Sequence, residues 1–214
     1  MPSLLENLAQ YVIEGNAPKA KETTDALLEQ HVPVADIVNK GLIAGMEVVG
    51  RKFKSNEFYI PEVLIAARAM KQSMEKVKPL IADAGIESKG CVAVGTVQGD
   101  LHDIGKNLVT MMLEGAGFEV IDMGTDVGPA AFVAVVKEKG VQALGLSALL
   151  TTTMPAMKET INALQEAGVR DRVKVMVGGA PLTQAYADEI GADGYAPDAA
   201  SAVDKAKELL GLAA

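Results

Sequence analysis

The chain has 214 residues, 49% of them hydrophobic and 22% charged, with a formal net charge of −8. That balance excludes a disordered segment and supplies apolar material for two modest cores, while the acidic surplus excludes the broad basic surface that neutralises nucleic-acid phosphates. No apolar run approaches the roughly 18 residues of a membrane helix, and MPSLLENLAQ lacks the basic start of a secretory signal, so a cytoplasmic protein is expected.

Up to residue 87 the apolar positions recur at helical spacing, as in Leu4, Leu5, Leu8 and Val12 and again at Leu27 and Leu28, with breaks at GNAP and HVPV. The pattern predicts four helices, at 3–14, 17–30, 34–54 and 60–82. Pro18 and Pro33 fall early in helices, where a missing N–H costs little, and Gly15 suits a C-terminal cap. After the polar stretch ADAGIESKG the rhythm changes to short β-branched runs separated by longer helical segments, the pattern of a parallel sheet with helical crossovers. The predicted strands are CVAVGT, FEVIDMG, ALGLSAL, KVMVGG and DGYA, and the helices lie near 103–117, 129–139, 153–168, 181–190 and 199–210. The expected fold is α plus α/β: a four-helix bundle over 1–87, then a flavodoxin-like or Rossmann-like five-stranded parallel sheet over 88–214, in strand order 2-1-3-4-5. The lone Cys91 opens an apolar strand and is expected to be a buried packing residue.

In such sheets ligands sit outside the carboxyl ends of the strands, where the strand order reverses between the first and third. QGDLHDIG follows the first strand and SALLT closes the third, so these two loops flank the expected crevice. The first loop carries His102, one of only two histidines. Alone, such a residue reads as a cap, a surface group or a satisfied loop side chain. Asp100, two residues earlier, can accept a hydrogen bond from one imidazole nitrogen and leave the other unprotonated, an arrangement that suits a metal ligand. A zinc site needs three or four protein ligands, and apart from Cys91 this half holds no other cysteine or histidine. A metal on His102 would therefore bring its remaining ligands with it, as it does inside a tetrapyrrole or corrin ring.

Asp100-Leu101-His102-Asp103-Ile104-Gly105 matches the D-x-H-x-x-G signature of cobalamin-binding domains, Ser147-Ala148-Leu149 resembles their S-x-L element, and Gly178-Gly179 resembles their G-G element. GMEVVGRKF at 45–53 and FYIPEVLIAARAMK at 58–71 resemble the helical cap of the same proteins. The chain thus resembles a corrinoid protein of a methyltransferase system, similar to the cobalamin-binding module of methionine synthase. The resemblance implies cobalamin or a related corrinoid bound base-off, with His102 as the lower axial cobalt ligand and Asp100 as its partner. Ser147 would bond the displaced lower base or extend the Asp100 network, so Asp100, His102 and Ser147 form the implied reactive group. Gly99, Gly105, Gly178 and Gly179 would admit the nucleotide tail, alongside Leu101, Asp103, Ile104, Leu149 and Thr151 of the two loops. Tyr195 and Ala196 would wall the buried base, and Met46, Val49 and Phe58 of the cap would cover the upper corrin face.

The same resemblance implies a methyl carrier and not an enzyme in its own right. A substrate-specific methyltransferase would load the cobalt from methanol, a methylamine, a betaine or a methoxyaromatic. A corrinoid:tetrahydrofolate or corrinoid:coenzyme M methyltransferase would unload it, and a reductive activase would restore the cofactor. No nucleic acid and no membrane is expected as partner. Lys76 to Gly90 is the expected linker, with Gly85 and Ser88 as hinge residues. The rival readings are a cobalamin-dependent sensor, which carries a DNA-binding helical domain in front, a mutase cofactor subunit, which generally lacks the helical cap, and a metal-free flavodoxin-like module.

Overall fold

The computed structural model describes residues 3–81 and 88–212. The chain divides into two compact units, Met1–Glu87 with Gly115–Gly117, and Ser88–Glu114 with Phe118–Ala214.

The helical unit contains α1 (Leu4–Ile13), α2 (Ala17–Glu29), α3 (Val34–Asp36), a π-helical stretch Ile37–Ile43, α4 (Ala44–Lys54) and α5 (Ile60–Ile81). Ser3 and Glu6 close a reciprocal capping box on α1, and Asn16 caps α2 with Pro18 in its first turn. The predicted helix 34–54 forms as one continuous run, but its middle is wound wider than an α-helix. Gly41 and Gly45 face α1 closely: a Cβ on Gly41 would stand 2.6 Å from Leu8 Cδ2, and one on Gly45 2.9 Å from the Ala9 carbonyl oxygen. Leu8, Val12, Leu27, Ile37, Leu42, Val49, Val63 and Val77 are buried in full or nearly so. Residues 76–81 continue α5, which corrects the expected start of the linker at Lys76. Gly85 lies outside the described residues, and Ser88 is an exposed residue without regular structure.

The second unit holds five parallel strands, β1 (Cys91–Thr96), β2 (Glu119–Asp122), β3 (Ala143–Ser147), β4 (Lys174–Gly178) and β5 (Gly194–Ala196), in the order β2-β1-β3-β4-β5. They alternate with α6 (Ile104–Gly115), α7 (Pro129–Lys139), α8 (Pro155–Glu166), α9 (Gln184–Ile190) and α10 (Ala199–Leu209). The central strands read as near-continuous apolar runs because a parallel sheet is covered on both faces. Phe132, Leu144, Leu146, Met157, Ile161 and Leu164 fill the core. Cys91 is only partly buried at the first position of β1, where the strand enters the sheet, and so is less enclosed than expected.

The predicted first and fifth strands end where β1 and β5 do, but the second, third and fourth overrun their carboxyl ends, and the reason positions the site. β2 stops at Asp122, β3 at Ser147 and β4 at Gly178, with Thr96, Ser147 and Gly178 level across the sheet. Past these residues the backbone leaves the ladder to form loops that bond to one another.

Candidate functional site

Val97 donates its N–H to the Ser147 carbonyl, and Gly99, at φ +82°, then turns the chain back over the end of β1. That turn drops Asp100 into full burial. A carboxylate so placed must find donors. Its Oδ1 accepts the His102 backbone N–H at 3.0 Å and lies 2.7 Å from His102 Nδ1, while Oδ2 accepts the N–H of Leu149 at 2.8 Å and of Leu150 at 3.3 Å. Thr153 Oγ1 lies 2.7 Å from Oδ2 and 2.9 Å from the Leu150 carbonyl, and its single proton goes to the charged acceptor. Burial pushes the Asp100 carboxyl upward, but the hydrogen bonds from Leu149, His102 and Thr153 outweigh it and hold the group well below the usual carboxylate range.

The consequence falls on His102. Facing the carboxylate, Nδ1 is the nitrogen placed to donate, and in the neutral ring that tautomer leaves the lone pair on Nε2. The imidazole is half exposed at 50%. Thr96 Oγ1 donates to the His102 carbonyl at 2.8 Å and fixes the backbone below the ring. Leu101 (74% exposed) on the loop and Ile104 (71%) at the first position of α6 lie on either side of it in sequence, and Leu149 and Leu150 are exposed on the loop after β3. Four large apolar side chains left in solvent on these two segments mark a surface built to be covered by an apolar body.

Ser147 ends β3 two residues before the predicted strand does, and its hydroxyl is not among the groups that bond Asp100, which corrects one of its two predicted roles. The loop amides after it and Thr153 take that place. Thr151 is exposed on the same loop. Asp103 sits at the head of α6, its Oδ2 accepting from Asn107 at 3.1 Å. Next to it Lys106, 2% exposed, donates to Asn107 Oδ1 and to Oδ1 of the exposed Asp122, an ion pair that ties α6 to the end of β2 and that sequence reading missed. Tyr195 is half-buried opposite Val177 and Ala196 is buried opposite Gly178, so both lie at the carboxyl edge of β5. In the helical unit Met46 and Val49 are buried on α4, and Phe58, half-buried after it, lies under Lys52 Nζ, 4.9 Å from the ring centroid.

The four predicted glycines divide by cause. A Cβ on Gly179, already at φ +137°, would stand 1.9 Å from the Ala148 carbonyl oxygen, and one on Gly178 3.1 Å from that of Ala196. Backbone crowding at the carboxyl edge of the sheet accounts for both. Gly99 is required by its turn. Gly105 is different: it is helical, and a Cβ there would meet nothing within 4 Å. Nothing in the protein itself demands a glycine at that position.

Among the described residues no group of three or more His, Cys, Asp or Glu side chains could hold a bare metal ion. The donor set instead fits a metal that is already chelated by a large apolar ring. One half-exposed imidazole offers one nitrogen, apolar side chains surround it, and at Gly105 space is left open beside it.

Comparison with known proteins points the same way. Residues 90–204 match the B12 binding domain family, and residues 4–78 match a second family of that description. A corrinoid protein of Desulfitobacterium hafniense (strain Y51) is 45% identical over 98% of this chain and 98% of its own. The dimethylamine corrinoid protein of Methanosarcina barkeri is 46% identical over 97% of each chain. Among solved structures, a cobalamin-binding protein from Desulfitobacterium hafniense DCB-2 superposes with a TM-score of 0.79 at 33% identity, covering 96% of this chain and 98% of that one. The methanol:cobalamin methyltransferase complex MtaBC from Methanosarcina barkeri gives a TM-score of 0.86 at 31% identity, over 97% of this chain and 80% of that one. With both domain families matched in tandem and relatives aligned end to end, the chain belongs to the B12-binding corrinoid proteins of methyltransferase systems.

Proposed function

We propose that this chain is a methyl carrier which binds a corrinoid base-off, with His102 Nε2 as the lower axial ligand. One observation carries the reading: the fully buried Asp100 carboxylate lies 2.7 Å from Nδ1 of a half-exposed imidazole, the arrangement that in the neutral ring leaves Nε2 free to coordinate. When bound, the corrinoid supplies the cobalt that takes up and releases the methyl group, while the protein supplies orientation and axial control.

The chain's own residues divide that work. Asp100 fixes the tautomer, and Thr153 with the Leu149 and Leu150 amides fixes Asp100. Leu101, Ile104 and Leu149 exclude water around the imidazole, and Gly99 and Gly105, with Asp103 and Thr151 beside them, leave the nucleotide tail its path. We assign contact with the displaced lower base to Ser147, Gly178, Gly179, Tyr195 and Ala196 at the ends of β3, β4 and β5. Residues 88–214 form the cofactor domain in this proposal. Residues 1–87 form the cap domain, with Met46, Val49 and Phe58 as its candidate cofactor contacts.

Substrate activation belongs to a partner methyltransferase, so the chain itself is a carrier and not an enzyme. A methylated amine is the first donor to test, because relatives named dimethylamine corrinoid proteins are 46% to 51% identical, against 31% for the methanol system. Tetrahydrofolate or coenzyme M is the proposed acceptor through a second methyltransferase, and a reductive activase restores the cofactor. The proposed location is the cytoplasm; no described helix is long and apolar enough to cross a membrane.

The test begins with protein reconstituted with hydroxocobalamin and reduced to the Co(II) state. Electron paramagnetic resonance should show superhyperfine splitting from a single nitrogen, and uniform ¹⁵N-histidine labelling should change that pattern. His102→Ala should remove it. A splitting that ignores the label and survives His102→Ala would place the cofactor's own base on cobalt and end the proposal.

A further inference from the structure

Past the ends of the strands, the loop between β2 and α7 is fastened along the turn that carries Asp100. Thr96 N–H donates to the Gly124 carbonyl and Val127 N–H to the Thr96 carbonyl, both at 3.0 Å, and Val97 and Val127 form a parallel bridge. Between these points stands Asp126, at φ +55° one of three non-glycine residues with positive φ among those described. A non-glycine residue adopts that conformation at a cost, and aspartate tolerates it better than most. Its backbone N–H donates to the Asp100 carbonyl at 3.0 Å, and its carboxylate Oδ1 accepts the Gly99 N–H at 2.7 Å. One residue therefore grips both outer ends of the Gly99–Asp100 pair.

We propose that Asp126 is a positioning residue for His102, and that its left-handed backbone is kept because that conformation lets one residue hold the turn by both its N–H and its carboxylate. The proposal rests on the reading that His102 meets a corrinoid. The other anchors of this turn come from elsewhere: Thr96 and Val97 belong to β1 and its continuation, while the Leu149 and Leu150 amides and Thr153 belong to the loop after β3. Asp126 is the anchor from the β2 side. A glycine at 126 would relieve the backbone and keep the N–H, but would lose the carboxylate that holds Gly99. An asparagine would keep both the turn and an acceptor oxygen for Gly99. The charge is thus dispensable and the grip is not.

Asp126→Gly and Asp126→Asn separate these effects in two measurements. In cofactor-free protein, amide exchange of Gly99 followed by ¹⁵N NMR should speed up by about tenfold in Asp126→Gly, the loss of one such bond, and stay within about threefold of the parent in Asp126→Asn. In protein loaded with hydroxocobalamin and reduced, the fraction of cobalt showing the histidine nitrogen splitting should fall in Asp126→Gly and be retained in Asp126→Asn, at matched thermal stability. Two results overturn the inference: a parental histidine-bound fraction in Asp126→Gly, or its loss in Asp126→Asn while Gly99 remains protected. If the parent protein itself shows no histidine nitrogen on cobalt, the functional reading has failed, and the Gly99 exchange rates still decide whether the grip exists.

Discussion

Thr153 lies 53 residues from Asp100 in sequence, yet supplies the only side-chain hydroxyl among the donors to its carboxylate in the described structure. Thr153→Val keeps the shape of this buried side chain and deletes that donor. A hydrogen bond to a charged group contributes about 1.5–3 kcal/mol. Asp100 is fully buried, so no water replaces the missing donor without rearrangement. With a melting shift of about 2–4 °C per kcal/mol for a protein of this size, the midpoint of cofactor-free protein should fall by roughly 3–12 °C. Thr153→Ser supplies the control. It keeps the hydroxyl and loses one methyl, about 0.8 kcal/mol, for a shift of roughly 2–3 °C. Circular dichroism melts of the three proteins decide the matter, with electron paramagnetic resonance of the cobalamin-loaded forms reporting whether the histidine stays on cobalt. If Thr153→Val melts within about a degree of the parent, or if Thr153→Ser is the more damaging change, the hydroxyl does not hold Asp100 and the network is misassigned.

Gly105→Ala should raise stability by up to about 1 kcal/mol in urea titrations, because alanine favours the helix and meets no neighbour, and yet lower hydroxocobalamin affinity. Unchanged affinity would mean that the open space beside Gly105 is not a cofactor cradle. Gly179→Ala should destabilise the second unit by about 2–4 kcal/mol in the same titration, since its Cβ would enter the Ala148 carbonyl at an unfavourable φ; a parental midpoint would refute the crowding. Burial raises the Asp122 carboxyl, but the Lys106 ammonium beside it and the Gly124 N–H outweigh this and hold it below its ordinary value. With the folded value lower than the unfolded one, the stabilisation is present above about pH 4 and is lost as pH falls through the lowered value. The melting gap between the parent and Asp122→Asn should therefore be full near neutrality and close in acid, and a gap constant down to about pH 2 would contradict the assignment.

The strands could be read because each central one is an uninterrupted β-branched or apolar run, and the order of the sheet follows from the alternation with helices. The carboxyl ends of the second, third and fourth could not. FEVIDMG continues the apolar pattern past Asp122, but Met123 and Gly124 have already left the ladder for a loop that bonds back to β1. The π-helical stretch was equally hidden, since Ile37, Val38, Leu42 and Ile43 satisfy an α-helical spacing as well as a wider one. Asp100 and His102 were legible because they interact across two residues. Thr153 and Asp126 act from 53 and 27 residues away, and nothing local distinguishes Thr153 from Thr151 or Thr152. The glycines show the opposite failure. Gly178 and Gly179 look in sequence like room left for a ligand, while their immediate cause is a carbonyl oxygen of a neighbouring segment.

The same distances explain why the setting of His102 depends on the sheet as a whole. An isolated carboxylate buried without partners costs far more than any single contact returns, so Asp100 can be enclosed only when several donors arrive together. Those donors come from the His102 loop and from residues 149–153, which meet only while Thr96 stands level with Ser147 in the pairing of β1 with β3. A slip of one residue between these strands would reverse the side-chain alternation and carry the β3 loop along the sheet away from Asp100. Asp100 would then be protonated or drawn out to water, and Nδ1 would lose the carboxylate that faces it. The pairing of Asp100 with His102 Nδ1 is therefore a property of strand register as much as of the Asp-x-His spacing, and under the proposed function damage to the β1–β3 pairing should remove the histidine from cobalt even in variants whose D-x-H-x-x-G stretch is intact.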